Sequence, residues 1–141
     1  MSTDRPIKET SYGGVVVRGD ELLVITPIGK GRVTGLPKGG PNPGERPEET
    51  AAREVREETG VTATVREFLG DVNYWYRRGG RRVYKTVHFY LCDYVSGSTD
   101  DHDHEVEEAR WIPLADAAGI LSYPGERALI ERALSKSTPG R

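Results

Sequence analysis

The chain of 141 residues has one cysteine, Cys92, so no internal disulfide can form. Stability has to come from a buried core, and a chain of this length buries roughly two thirds of its unfolded surface without covalent staples. Long apolar runs are missing as well. The stretches Val15–Val17 and Leu22–Ile25 fall far short of the roughly 20 residues needed to cross a bilayer, and polar Met1–Thr10 lacks the hydrophobic segment of a secretory signal. The expectation is a cytoplasmic protein with no membrane partner. Positive charge is not in excess: 20 Lys and Arg against 22 Asp and Glu leave a net charge of −2. Without a global positive field, binding to a nucleic-acid duplex is disfavoured. The length suits one domain, expected over 11–134, with a flexible N-terminus over 1–10 and a flexible tail over 135–141.

What the sequence does contain is an alternation of strand and helix signals. The β-branched runs Gly13–Val17 and Leu22–Ile25, separated by Arg18-Gly19-Asp20-Glu21, read as a hairpin. Pro27–Gly44 is too rich in Gly and Pro for a helix or central strand, and ordered loops of that length are usually functional. Pro47–Thr59 has Pro at its first position, Glu48 and Glu49 in the first turn and Gly60 just past its end, which predicts a helix. Val61–Tyr76 and Val83–Tyr94 read as strands joined across Gly79-Gly80, with Val83, Val87, Phe89 and Leu91 facing one way and Tyr84, Thr86, His88, Tyr90 and Cys92 the other. Ser96–His104 predicts a mobile surface loop, Ala109–Pro113 a short strand, and Leu114–Leu121 and Glu126–Leu134 helical segments. Interleaved strands and helices predict an α/β domain with a mixed sheet and helices on both faces.

Chemistry concentrates in Arg53-Glu54-Val55-Arg56-Glu57-Glu58. On a helix, Glu54, Glu57 and Glu58 stand at i, i+3 and i+4, with Cβ atoms about 5–6 Å apart on one face. Taken alone, such a run describes either a solvated face offset by Arg53 and Arg56 or a site for a hard divalent cation, which prefers clustered carboxylate oxygens.

The sequence before the helix shifts that balance toward the cation. Gly39-Gly40-Pro41-Asn42-Pro43-Gly44-Glu45, seven further residues, and then Arg53-Glu54-Val55-Arg56-Glu57-Glu58-Thr59-Gly60-Val61 resemble an uninterrupted Nudix box. Leu36-Pro37-Lys38 ahead of it and Arg110-Trp111-Ile112-Pro113 after it are similar to the wider Nudix domain. This resemblance implies a Nudix-type α/β/α sandwich carrying a loop-helix-loop motif. It further implies a Mg²⁺- or Mn²⁺-dependent hydrolase of a diphosphate linkage in a small nucleotide derivative, monomeric or homodimeric.

By position in the motif, Glu57 and Glu58 are implied as metal ligands and Glu54 as a ligand or the general base. The backbone carbonyl of Lys38 is implied as a further ligand, with its side chain on a phosphate. Glu105 is implied as the acid from a later loop, with Glu107 and Glu108 as rivals. Arg53 and Glu45 are expected to orient a carboxylate and anchor the loop. The Leu36-Pro37-Lys38-Gly39 entry looks like the diadenosine polyphosphate hydrolases, with Tyr74 and Tyr76 as base-stacking candidates and Lys85 and the Arg77, Arg78, Arg81 and Arg82 cluster as contacts for a polyphosphate. Thr34 departs from that branch, which usually has Trp there. Dinucleoside polyphosphates are therefore the first expectation for substrate. The alternatives are oxidised or non-standard nucleoside triphosphates, nucleotide sugars or ADP-ribose, and, from another class, a non-catalytic ligand sensor.

Overall fold

A computed structural model of the chain describes residues 5–29 and 31–137. Strand β1 (Ile7–Arg18) turns at Gly19, which has φ of 59°, into β2 (Glu21–Pro27), and the two pair at Val17 with Leu22 and Arg18 with Glu21. Alternation along β1 sends Val15 and Val17 into one core and Val16 into the other. The strand starts earlier than its apolar pattern. Residues 7–10, expected within the flexible N-terminus, run parallel to Val83–Thr86, and this distant partner supplies backbone hydrogen bonds that no local pattern reveals. Residues 1–4 and 138–141, the outer parts of the two expected flexible ends, lie outside the described residues.

Part of the long loop is built into the sheet. Strand β3 (Lys38–Gly39) pairs with Gly13 and Tyr12 of β1. Gly35 and Ile25 exchange hydrogen bonds of 2.9 and 2.8 Å, and Gly14 N–H donates to the Pro37 carbonyl at 3.2 Å. Helix α1 (Pro47–Thr59) follows and ends at Gly60, whose φ of 82° and N–H to the Arg56 carbonyl form a left-handed cap. A Cβ on Gly60 would press into the backbone of Ser98, so the cap is also where a later loop packs.

Strands β4 (Val61–Arg78) and β5 (Arg81–Gly97) form a long antiparallel hairpin turning at Gly79 and Gly80, both with positive φ. The loop expected at Ser96–His104 is tied to α1, since Asp103 N–H donates to the Glu57 carbonyl at 3.0 Å. Strand β6 (Val106–Pro113) pairs with β2. A 3₁₀ turn at Leu114–Asp116, short helix α2 (Ala117–Ile120) and helix α3 (Pro124–Ser137) complete the fold. Helix α3 continues to Ser137, past the expected start of the tail at residue 135.

The six-stranded sheet has the order β4-β5-β1-β2-β6, with β3 beside β1; β1 and β5 are parallel and the other pairs antiparallel. On one face Val16, Leu23, Tyr90 and Cys92 pack against Ala51 and Val55 of α1. On the other, Val15, Val24, Val87, Phe89 and Leu91 pack against α2 and the Leu129, Ile130 and Ala133 face of α3. Each fully buried Val, Leu, Ile or Phe contributes roughly 1.5–3 kcal/mol. Helix α1, with its narrow apolar stripe, is thereby fixed and its acidic face left for other work.

Candidate metal and nucleotide site

The loop before α1 is fastened to the helix by an ion-pair network. Arg53 donates to both oxygens of Glu45 (2.6 and 3.0 Å), to Glu54 (3.2 Å), to Glu57 (3.1 Å) and to the Gly40 carbonyl (2.8 Å). Glu45 also accepts from the Asn42 N–H and the Thr50 hydroxyl. These bonds hold the Glu45 carboxyl well below the usual range, at about 2, with Arg53 the main cause. Arg53 therefore positions carboxylates on both sides of itself.

Glu54, Glu57 and Glu58 differ sharply in surroundings. Glu57 is half exposed and held to Arg53. The Glu54 side chain is only 14% exposed, and burial raises its pKa against the lowering effect of Arg53. Glu58 is deeper, and its Oε1 accepts the Lys38 backbone N–H at 3.0 Å. Burial pushes its pKa up to about 8, and the charge of Glu54 adds to the rise. A Cβ on Gly39 would overlap the Glu54 carboxylate, so this carboxylate reaches its position only because residue 39 is glycine.

Of these carboxylates Glu58 opens onto a pocket of about 550 Å³, within the roughly 300–1,000 Å³ of small-molecule sites. Lys38, Glu58 and Glu105 line it, and so do Val72, Tyr74, Tyr76, Lys85, Tyr123 and Glu126. Lys38, Glu58, Glu105, Tyr74, Tyr76 and Lys85 thus border one cavity, and Glu54 and Glu57 lie on the same helix as Glu58. Of the rival acids, Glu105 lines the cavity and acts electrostatically on Glu54. Glu107 is exposed, and Glu108 pairs with Arg110 at 3.5 Å.

The basic cluster expected on a polyphosphate is divided by the sheet. Tyr74, Tyr76 and Lys85 share the pocket side, whereas Arg77 and Arg82 fall on the opposite face by strand alternation. Lys85 is itself engaged: its Nζ lies 3.0 Å from Glu9, which also accepts from the Tyr76 hydroxyl and Arg78, each at 2.5 Å. This network holds the Glu9 carboxyl at about 2, chiefly through the Tyr76 hydroxyl. Burial lowers the pKa of Lys85.

Four residues escaped the sequence reading. Glu9 sat in a stretch without strand signal. Asp103, partly buried, acts electrostatically on Glu58. Tyr123 and Glu126 come from the start of α3, and Glu126 is 3% exposed, with its Oε1 accepting the Leu36 N–H at 3.1 Å. Burial raises the Glu126 pKa to about 7. One signal was available for it, a glutamate in the first turn of an amphipathic helix, but that pattern equally describes a cap on the helix dipole.

The donor set matches a hard cation. Glu54 and Glu58 repel one another, a third carboxylate lies on the same helix, and burial is the first cause of the raised pKa of both. Among the described residues no three acidic, His or Cys side chains are already gathered as a ligand shell, and Arg53 carries the compensation for Glu54 and Glu57. Glu54, Glu57 and Glu58, with the Lys38 carbonyl on the adjoining strand, are the residues that could hold a divalent cation. No helix among the described residues is long and apolar enough to cross a membrane.

A family model for the NUDIX domain matches residues 8–133. The chain is 43% identical over 136 residues to MutT4 of Mycobacterium tuberculosis (strain CDC 1551 / Oshkosh), named among the mutator proteins, covering 90% of this chain and 55% of that protein. It is 36% identical over 97 residues to the 8-oxo-(d)GTP phosphatase of Mycolicibacterium smegmatis, covering 69% of this chain and 29% of the relative. A mouse (Mus musculus) asymmetrical bis(5'-nucleosyl)-tetraphosphatase is 31% identical over 100 residues, covering 67% of this chain and 65% of the relative. The chain spans about half the length of the first of these relatives and less than a third of the second. Among solved structures, a NUDIX hydrolase from Nitrosomonas europaea superposes with a TM-score of 0.73 at 21% identity, covering 94% of this chain and 90% of that one, a likeness of fold.

Proposed function

The chain belongs to the NUDIX family, and from that premise we propose that it is a divalent-metal-dependent hydrolase of nucleoside triphosphates, with a preference for oxidised or otherwise non-standard bases. The observation that carries this reading is the cavity joining the partly buried Glu58 to the aromatic and carboxyl groups of Tyr74, Tyr123 and Glu126. Its carboxylates and lysines suit cations and phosphates, and its rings suit a base. A carboxyl group held near pH 7 both donates and accepts hydrogen bonds, so Glu126 can match a base edge that presents donors and acceptors together. A base that fails to pair with it leaves a buried polar group unsatisfied, which is a strong means of rejection.

Glu54, Glu57 and Glu58, with the Lys38 carbonyl, would hold Mg²⁺ or Mn²⁺, and the bound ion supplies neutralisation of phosphate charge and a lowered pKa for attacking water. Glu54, whose affinity for protons burial raises, is the group assigned to accept the proton from that water. Arg53 fixes the carboxylate against which this transfer occurs. The Lys38 ammonium offers charge to a phosphate oxygen, and Tyr74 and Tyr123 offer ring faces to the base.

A second reading, hydrolysis of dinucleoside polyphosphates, is favoured by the mouse tetraphosphatase relative and by the paired rings of Tyr74 and Tyr76, 6.2 Å apart. The test is a panel of 8-oxo-dGTP, dGTP, diadenosine tetraphosphate, ADP-ribose and UDP-glucose with Mg²⁺ or Mn²⁺, followed by product identification. The expected result is highest kcat/KM for the oxidised triphosphate, with monophosphate and pyrophosphate as products. Preference for the dinucleotide supports the second reading, and no cleavage of any member overturns both in favour of a ligand sensor.

A further inference from the structure

On the face of the sheet that carries α1, the helix covers the strands only as far as Tyr12, Tyr90 and Cys92. Outward from there, β4, β5 and β1 continue side by side, with Asp71 opposite His88, Asn73 opposite Thr86 and Trp75 opposite Tyr84, while Tyr12, Thr10 and Lys8 flank His88, Thr86 and Tyr84. This uncovered face carries rings at both ends. Near α1, Tyr12 stacks on His88 with centroids 5.3 Å apart, and Phe68, 51% exposed, leans against His88. Farther out, Trp75, 53% exposed, lies 4.9 Å from the Tyr84 ring and under the Arg82 guanidinium at 5.3 Å. His88 and Tyr84 are separated by about 13 Å along the strand, at roughly 3.3 Å per residue.

Among the described residues the charge of this outer face is mostly positive, with Glu48 of α1 acting on Tyr90 at its inner end. Lys8, Arg77 and Arg82 rim it, and an open groove of about 480 Å³ is lined by Trp75, Tyr76, Arg77 and Arg82. The acid among the described residues of this outer face is Asp71, bound to His88. A two-fold contact with a second copy would set this cationic rim against itself, which like charges oppose. A ligand of flat rings strung on anionic groups meets both halves of the chemistry.

We propose that this face binds a single-stranded polynucleotide, its bases stacking on Trp75 with Tyr84 and on Phe68 with His88 and its phosphates meeting Lys8, Arg77 and Arg82. Unpaired bases are required, because a duplex keeps its ring faces stacked inside. The site lies across the sheet from the nucleotide pocket, so its occupation and hydrolysis are separable.

The test is fluorescence anisotropy of a labelled oligouridylate of about 12 nucleotides with the full chain in EDTA, against a duplex RNA of the same length. Single-strand binding is expected to exceed duplex binding and to fall with salt at a log–log slope of about −2, from roughly 0.7 per neutralised phosphate and three cations. Trp75→Ala is expected to weaken binding about tenfold or more through the lost stack. Arg77→Glu with Arg82→Glu is expected to do the same and to flatten the salt slope. Both variants change exposed residues, and their hydrolysis of a mononucleotide substrate is expected to match wild type. Equal affinity for duplex, or wild-type affinity in both variants, overturns the proposal. A wild-type dimer in sedimentation that the variants dissociate overturns it too, and assigns the face to a second copy. None of these outcomes bears on the hydrolytic reading, which the substrate panel decides separately.

Discussion

Replacing Glu58 by Gln tests the electrostatic cost on which metal capture depends. The glutamine oxygen can still accept the Lys38 N–H, so the backbone contact is retained while the ionisable group is removed. In the folded chain the Glu58 pKa stands at about 8 against an ordinary 4.5. The folded state therefore holds more protons than the unfolded state between these values. Its contribution to stability is complete below pH 4.5 and is lost as pH rises through 8. At about 1.4 kcal/mol per pH unit, the full difference has an upper value of about 5 kcal/mol. In EDTA, wild type and Glu58→Gln are expected to be similarly stable near pH 4.5, with the variant ahead by about 2–5 kcal/mol at pH 8.5, or very roughly 5–15 °C in Tm. Saturating Mg²⁺ should raise wild type at the high pH more than the variant, because the variant keeps only the charges of Glu54 and Glu57 to neutralise. Urea unfolding across that pH range, with and without Mg²⁺, reads all of this. A stability difference that does not change with pH refutes the reasoning.

Three further outcomes follow from the same contacts. Gly39→Ala should displace the Glu54 carboxylate and lower kcat about 100-fold with KM nearly unchanged, as steady-state kinetics would show. Arg53→Ala should cost about 2–4 kcal/mol in urea unfolding by leaving Glu45 and Glu54 without their countercharge, and Arg53→Lys, which lacks the forked geometry, should recover less than half of it. Glu9, whose pKa is lowered to about 2, adds stability that is present above pH 4.5 and lost as pH falls toward 2; Glu9→Gln should flatten that acid limb and raise KM by freeing Tyr76 and Lys85 at the pocket rim.

Local chemistry made much of this molecule legible before any coordinates. Pro47, the acidic first turn and Gly60 bracket α1 because caps and breakers act within a few residues, and the Gly79-Gly80 turn follows from positive φ alone. The fixed spacing from Gly39 to Val61 likewise carries its meaning in sequence, since a loop and the helix that follows it are covalently adjacent. The parallel pairing of residues 7–10 with β5 had no local trace, because a strand whose partner lies 76 positions away, as Lys85 does from Glu9, depends on hydrogen bonds between segments that only folding brings together.

The same distinction holds for the site. Sequence determined which side chains carry negative charge and that three of them share one helical face. Tertiary structure decided how much water each one keeps, leaving Glu57 half exposed, Glu58 partly buried and Glu126 buried, and thereby raised the proton affinities of Glu58 and Glu126. It also decided which side of the sheet each arginine of the hairpin occupies in relation to the pocket, separating Arg82 from Lys85. Desolvation and sidedness are properties of what packs around a residue, and around Glu58 and Glu126 these neighbours include segments distant in sequence, Asp103 for the first and Leu36 for the second.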